Sequence, residues 1–146
     1  MTLLALLISF VLTAIALLHA AWAVGIVWPG KDAESCARTV VGARGITTMP
    51  SPLACWIVAA TLLAVAALPL ILIGRVGTAL PDWLSGIGGP IVACVFLTRG
   101  ILGYLPVWRR KCPEQPFATL DRRFYSPICL ALGAGFIVLT IGGLAR

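Results

Sequence analysis

Four long apolar stretches, separated by polar segments, organise the chain. The first runs from about Leu3 to Val27 and is interrupted only by Ser9, Thr13 and His19. It is too long for a signal-peptide core of roughly 7–15 apolar residues, and no basic residue precedes it, so it is expected to persist as a mature helix. The second opens at Ser51-Pro52, where a serine suits the cap and a proline the first helical position, and continues over 52–74 with Pro69 inside it. The third covers 84–107, although Gly88-Gly89-Pro90 is able to delay regular helix until Pro90. The fourth, 126–144, repeats the serine-proline start at Ser126-Pro127.

Each stretch is near the roughly 20 residues that cross a bilayer as a helix. The expected fold is therefore all-α, an integral membrane four-helix bundle in which residues 1–146 form a single domain. Small residues four apart, Ala21 and Gly25, Ala60 and Ala64, Ala131 and Gly135, favour close helix packing. They serve contacts within a bundle and a homo-oligomer face equally well. Composition agrees: 60% of the residues are apolar and 11% charged, with a mean hydropathy of +1.04. A soluble domain typically carries about a quarter charged residues.

Charge sets an orientation. With four spans, both termini share a side with the loop Arg75 to Trp83, and loops 28–50 and 108–124 share the other. Lys31, Arg38, Arg44, Arg109, Arg110, Lys111, Arg122 and Arg123 fall on the second side, against Arg75 and Arg146 on the first. The positive-inside rule then places the two long loops in the cytoplasm and both termini outside, in a bacterial inner membrane. Only Asp32, Glu34, Glu114 and Asp121 offset those basic residues. The excess favours anionic lipid head groups as partners, and it explains the basic balance without nucleic acid.

Chemistry-bearing residues gather at the long-loop end. His19 and Trp22, three apart, share a face of the first helix. Arg99 lies about eight residues before the end of the third stretch, roughly 12 Å, and needs a partner in lipid: a carboxylate, helix-end carbonyls or an anionic ligand. No carboxylate falls inside any span, so Asp121, just before the fourth, is the expected partner. A helical turn over Asp121–Tyr125 would put these two residues on one face. For the tryptophans, an interfacial aromatic belt is favoured over a ligand role.

In these residues the chain resembles DUF3995, a family of short bacterial membrane proteins of unknown function. The resemblance rests on four motifs in order: His19, Trp22, Ala23 and Gly25; Met49-Pro50-Ser51-Pro52; Arg99-Gly100; and Phe117-Ala118, Asp121 and Tyr125-Ser126-Pro127. It implies a four-helix membrane protein and no established activity.

Two readings compete for the polar cluster. In one, His19, Trp22, Arg99, Asp121 and Tyr125 form a pocket for a lipid or small amphipathic molecule, with His19 as acid, base or hydrogen-bond donor and Arg99 holding an anionic group. In the other, the same groups tie the helix ends together in a scaffold or interaction subunit, joined to a membrane partner or to a second copy. Proton-coupled transport ranks lower, because all five acids fall in loops. The five cysteines include no C-x-x-C pair and the chain has one histidine, which argues against dithiol redox chemistry and against a metal site. No cofactor is expected, and no nucleophile with its base is apparent.

Overall fold

The computed structural model describes residues 1–75 and 82–144, with 82–85 and 144 by backbone alone. Four long helices dominate it: α1 (Thr2–Ala23), α3 (Pro52–Leu72), α4 (Asp82–Leu102), and a continuous helix made of α6 (Phe117–Leu120), a π-helical turn (Asp121–Tyr125) and α7 (Ser126–Leu144). Two short helices, α2 (Ala33–Val40) and α5 (Pro106–Lys111), lie in the long loops. There is no strand among the described residues.

Local chemistry sets the helix ends. α1 stops at Ala23, short of Val27, because Gly25 adopts φ +89° while the Ile26 N–H donates to the Ala21 carbonyl, a glycine-dependent C-terminal motif. α3 begins as expected, with Ser51 Oγ accepting from the Ala54 N–H at 3.3 Å. α4 ends at Leu102, five residues short of Val107; after Gly103 the chain turns, and Pro106 starts α5 as its first residue. Helix is not delayed to Pro90 but passes through Gly88-Gly89-Pro90. The glycines there serve close packing: a Cβ on Gly89 would collide with Thr140 Oγ1 of α7. The loop expected over Arg75–Trp83 lies largely outside the described residues, as does Arg146.

The largest correction concerns the last helix. Ser126-Pro127 does not start it; the helix begins at Phe117 and runs through the π turn. Proline has no N–H, so a carbonyl in the turn before Pro127 loses its helical donor. The widened turn accommodates this: the Ser126 N–H bonds back to Asp121, and the Arg122 carbonyl accepts instead from the Tyr104 hydroxyl at 3.2 Å.

The long helices pack as two pairs, α1 against α3 and α4 against α7, with lighter contact between the pairs. A core of Ala5, Ile8, Leu12, Ala93, Phe136 and Leu139 joins the pairs toward the Met1 end. Of the small residues picked out above, Ala60 and Ala64 face outward, whereas Gly135 is buried against Ile8. Among the described residues three helices are long and apolar enough to cross a membrane, Thr2–Ala23, Pro52–Leu72 and Phe117–Gly143; Gly86–Leu102 forms a shorter apolar stretch.

Candidate functional site

Toward the long-loop end the two helix pairs separate around a cavity of about 490 Å3. Each pair supplies a wall: Ile15, His19 and Trp22 of α1 and Leu62 of α3 on one side, Phe96 and Arg99 of α4 with Tyr125 and Cys129 on the other. Trp28, Pro29 and Val40 from the first long loop, and Phe117 at the start of the last helix, also line it.

That loop is locked in place. Asp32 caps α2 reciprocally with Ser35, accepting the Ser35 N–H at 2.8 Å while Ser35 Oγ accepts the Asp32 N–H at 3.1 Å. Past α2, Gly42 takes φ +65° with Phe117 packed where a Cβ would stand. The second long loop clamps onto the first through Glu114, which accepts from Arg38 at 2.9 Å and from the Gly45 N–H at 3.0 Å. Those bonds, the Gly45 amide foremost and then Arg38, hold the Glu114 carboxyl below the usual glutamate range.

The polar groups of the walls differ in what they leave free. His19 Nδ1 lies 2.8 Å from the Ile15 carbonyl, an acceptor only, so Nδ1 carries the proton of that bond. Nε2 has no partner among the described residues. The His19 ring meets Trp22 edge-on at 4.7 Å, and Trp22 Nε1 donates to the Trp28 carbonyl at 2.7 Å. The Tyr125 hydroxyl donates to the Thr39 carbonyl at 3.3 Å, and its ring lies 5.8 Å from that of Phe117. A second, smaller cavity of about 130 Å3 lies between α1, α3 and the loop, and His19 and Trp22 border both.

Arg99 is anchored from behind the cavity. Its Nη2 donates to Asp121 Oδ1 at 2.7 Å, and the Trp108 ring covers the guanidinium with 4.8 Å between the guanidinium carbon and the ring centroid. Asp121 is 2% exposed and also accepts from Trp108 Nε1 at 3.0 Å and from Ser126 Oγ at 3.3 Å. The carboxylate thus has three donors, enough to offset its burial. Arg99 Nη1 is shielded and has no hydrogen-bond partner among the described residues.

The structure thus brings His19, Trp22, Arg99 and Tyr125 to one cavity and places Asp121 outside it, as the group that holds Arg99. The expected Arg99–Asp121 pair is present. Asp121 and Tyr125 point to different neighbours, because the turn between them is π-helical and not α-helical. Sequence reasoning missed Trp108, Ser126 and Gly103. A Cβ on Gly103 would strike Ser126 Oγ and come within 2.9 Å of Asp121 Oδ2, so only glycine fits beside the ion pair. The available signal was the tryptophan just beyond the Gly103–Pro106 helix break, within reach of Arg99.

A family described as a protein of unknown function, DUF3995, matches residues 12–136. The chain belongs to the DUF3995 family. No curated protein and no solved structure matches it. The residues that carry the resemblance converge in this DUF3995 chain: His19, Trp22, Arg99, Phe117 and Tyr125 border the large cavity, and Met49 and Pro50 the small one. Asp121 and Ser126 stand behind Arg99.

Proposed function

We propose that this DUF3995 protein binds a lipid or small amphipathic molecule in the cavity between its helix pairs. The observation that carries the reading is a cavity of about 490 Å3 with mainly apolar walls, bordered by the guanidinium of Arg99 and by His19. That volume and that mixture, apolar walls with a few convergent polar groups, suit a small-molecule site. In the same proposal the chain spans a bacterial inner membrane four times. α4, at 21 residues, is about 31 Å long, close to the thickness of the hydrocarbon core. The termini then face outward and the basic loops, with the cavity, face the cytoplasm. Lys31 is exposed, so Lys31→Cys should react with a membrane-impermeant thiol reagent only after cells are opened. Reaction in intact cells would invert the orientation.

Cys129→Phe, which places a bulkier side chain in the cavity wall, tests the site itself. Amphiphiles retained through purification in a mild detergent are identified by mass spectrometry in the wild type and in this variant. A species present in the first and absent from the second supports the proposal; identical lipid profiles from two equally folded proteins refute it.

A second reading, a scaffold, is favoured by the complete hydrogen bonding of Asp121. Under it Arg99→Ala should cost about 3–5 kcal/mol, the usual result of leaving a buried charge unpaired. Cys129→Phe should then leave every partner bound. The ion pair is expected to be structural in both readings; only the cavity variant separates them.

A further inference from the structure

We infer that the cavity selects an amphiphile with an uncharged head bearing hydroxyl or carbonyl oxygens, and disfavours an anionic lipid. This rests on the cavity being a ligand site and concerns what fills it.

The charge balance carries the argument. Arg99 is the only basic residue bordering the cavity among the described residues, and its charge is already matched by Asp121 at 2.7 Å. The other basic side chains of the loops lie elsewhere: Arg38 is paired with Glu34 and Glu114, and Arg122 and Arg123 are exposed on the outer side of the helix. An anion placed beside Arg99 would therefore leave a net negative charge against mainly apolar walls, at a cost in desolvation that no second cation offsets. A neutral oxygen meets no such penalty. It is still open to a charge-assisted hydrogen bond from the edge of the guanidinium that borders the cavity.

The second polar group fits the same head. With Nδ1 committed to the Ile15 carbonyl, His19 has Nε2 left, and a neutral imidazole offers a lone pair there. A hydroxyl donates to such a nitrogen, whereas a fully ionised phosphate or carboxylate oxygen has no proton to give. Trp22 and Tyr125 have already spent their donors on the Trp28 and Thr39 carbonyls.

The test compares two molecules that differ only by a phosphate, 1-oleoylglycerol and 1-oleoylglycerol 3-phosphate. Each is titrated into full-length protein in phosphatidylcholine nanodiscs, with thermal unfolding as the readout, because a ligand bound only by the native state raises Tm with concentration. Cys129→Phe supplies the baseline for effects on the bilayer itself. The expected result is an upward shift for the neutral compound that this variant abolishes, with the phosphate form needing at least about ten times the concentration. Asp121→Asn, which strips the countercharge from Arg99, should reverse the order. Equal or tighter binding of the phosphate form by the wild type overturns the inference while leaving the cavity a ligand site. If neither compound shifts Tm beyond the Cys129→Phe baseline, the ligand-site reading fails and this one fails with it. Should Asp121→Asn not fold, the wild-type comparison decides alone.

Discussion

At the scale of single residues, the ion pair depends on a side chain that is not there. Gly103 lets Ser126 and Asp121 approach the end of α4, and a methyl group in that space has nowhere to move. Gly103→Ala should therefore destabilise the protein by about 1–3 kcal/mol through overpacking. Gly86→Ala, where an added Cβ meets nothing, should be neutral or stabilising by up to about 1 kcal/mol from helix propensity. Thermal unfolding of the two variants side by side checks the contrast. Glu114 makes a pH-dependent contribution of known sign. Its carboxyl is held below the ordinary range by the Gly45 N–H and Arg38, so the clamp between the loops is fully formed above the ordinary glutamate pKa of about 4.3. It is lost as the pH falls through the lowered folded value. Hydrogen exchange at the Gly45 amide, after correction for intrinsic rates, should show protection falling in that acidic window, and Glu114→Gln should remove the pH dependence.

At the scale of elements, the π turn decides where Asp121 points. One residue of an α-helix turns the chain by about 100°. Deleting exposed Arg123 would let the turn regularise and would rotate α6 and Asp121 relative to α7 by about that angle. The expected outcome is a loss of thermal stability comparable to that of Arg99→Ala, whereas Arg123→Ala should change little. The same element shows why sequence reading went wrong here. Ser51-Pro52 and Ser126-Pro127 are the same dipeptide, and Ser51 does cap its helix. What differs is upstream: Pro50 and an irregular segment precede Ser51, while nine helical residues from Phe117 precede Ser126. A dipeptide signals a start only where the chain before it is not already helical. The four long helices were legible as long apolar runs; their ends were set by Gly25, Gly103 and Pro106, whose effects depend on backbone angles and neighbours.

At the scale of the whole molecule, the pairing of Arg99 with Asp121 was legible by elimination, since the sequence holds no carboxylate within the apolar stretches. The gathering of His19, Trp22, Arg99 and Tyr125 at one end was legible from their depth along the helices. The cavity was not. It arises where two tightly packed helix pairs fail to touch, and a lack of contact between residues far apart in the chain leaves no periodic trace. Trp108 was obscured for a related reason: an interfacial tryptophan and one that covers a guanidinium look alike until the partner is located.

The separation of Arg99 from Asp121 by 22 positions also imposes an order on biosynthesis. At about 5–20 residues per second, the cation of α4 emerges from the ribosome roughly 1–4 s before its countercharge. If α4 crosses the bilayer as proposed, it carries an unneutralised guanidinium toward lipid throughout that interval. Nascent chains arrested before Asp121 leaves the ribosome should accordingly integrate α4 poorly, and chains extended through α7 should integrate it well. Arg99→Leu should abolish the difference. Glycosylation mapping of stalled chains reads this directly, and equal integration at both lengths would show that the translocation machinery shelters the arginine without help from Asp121.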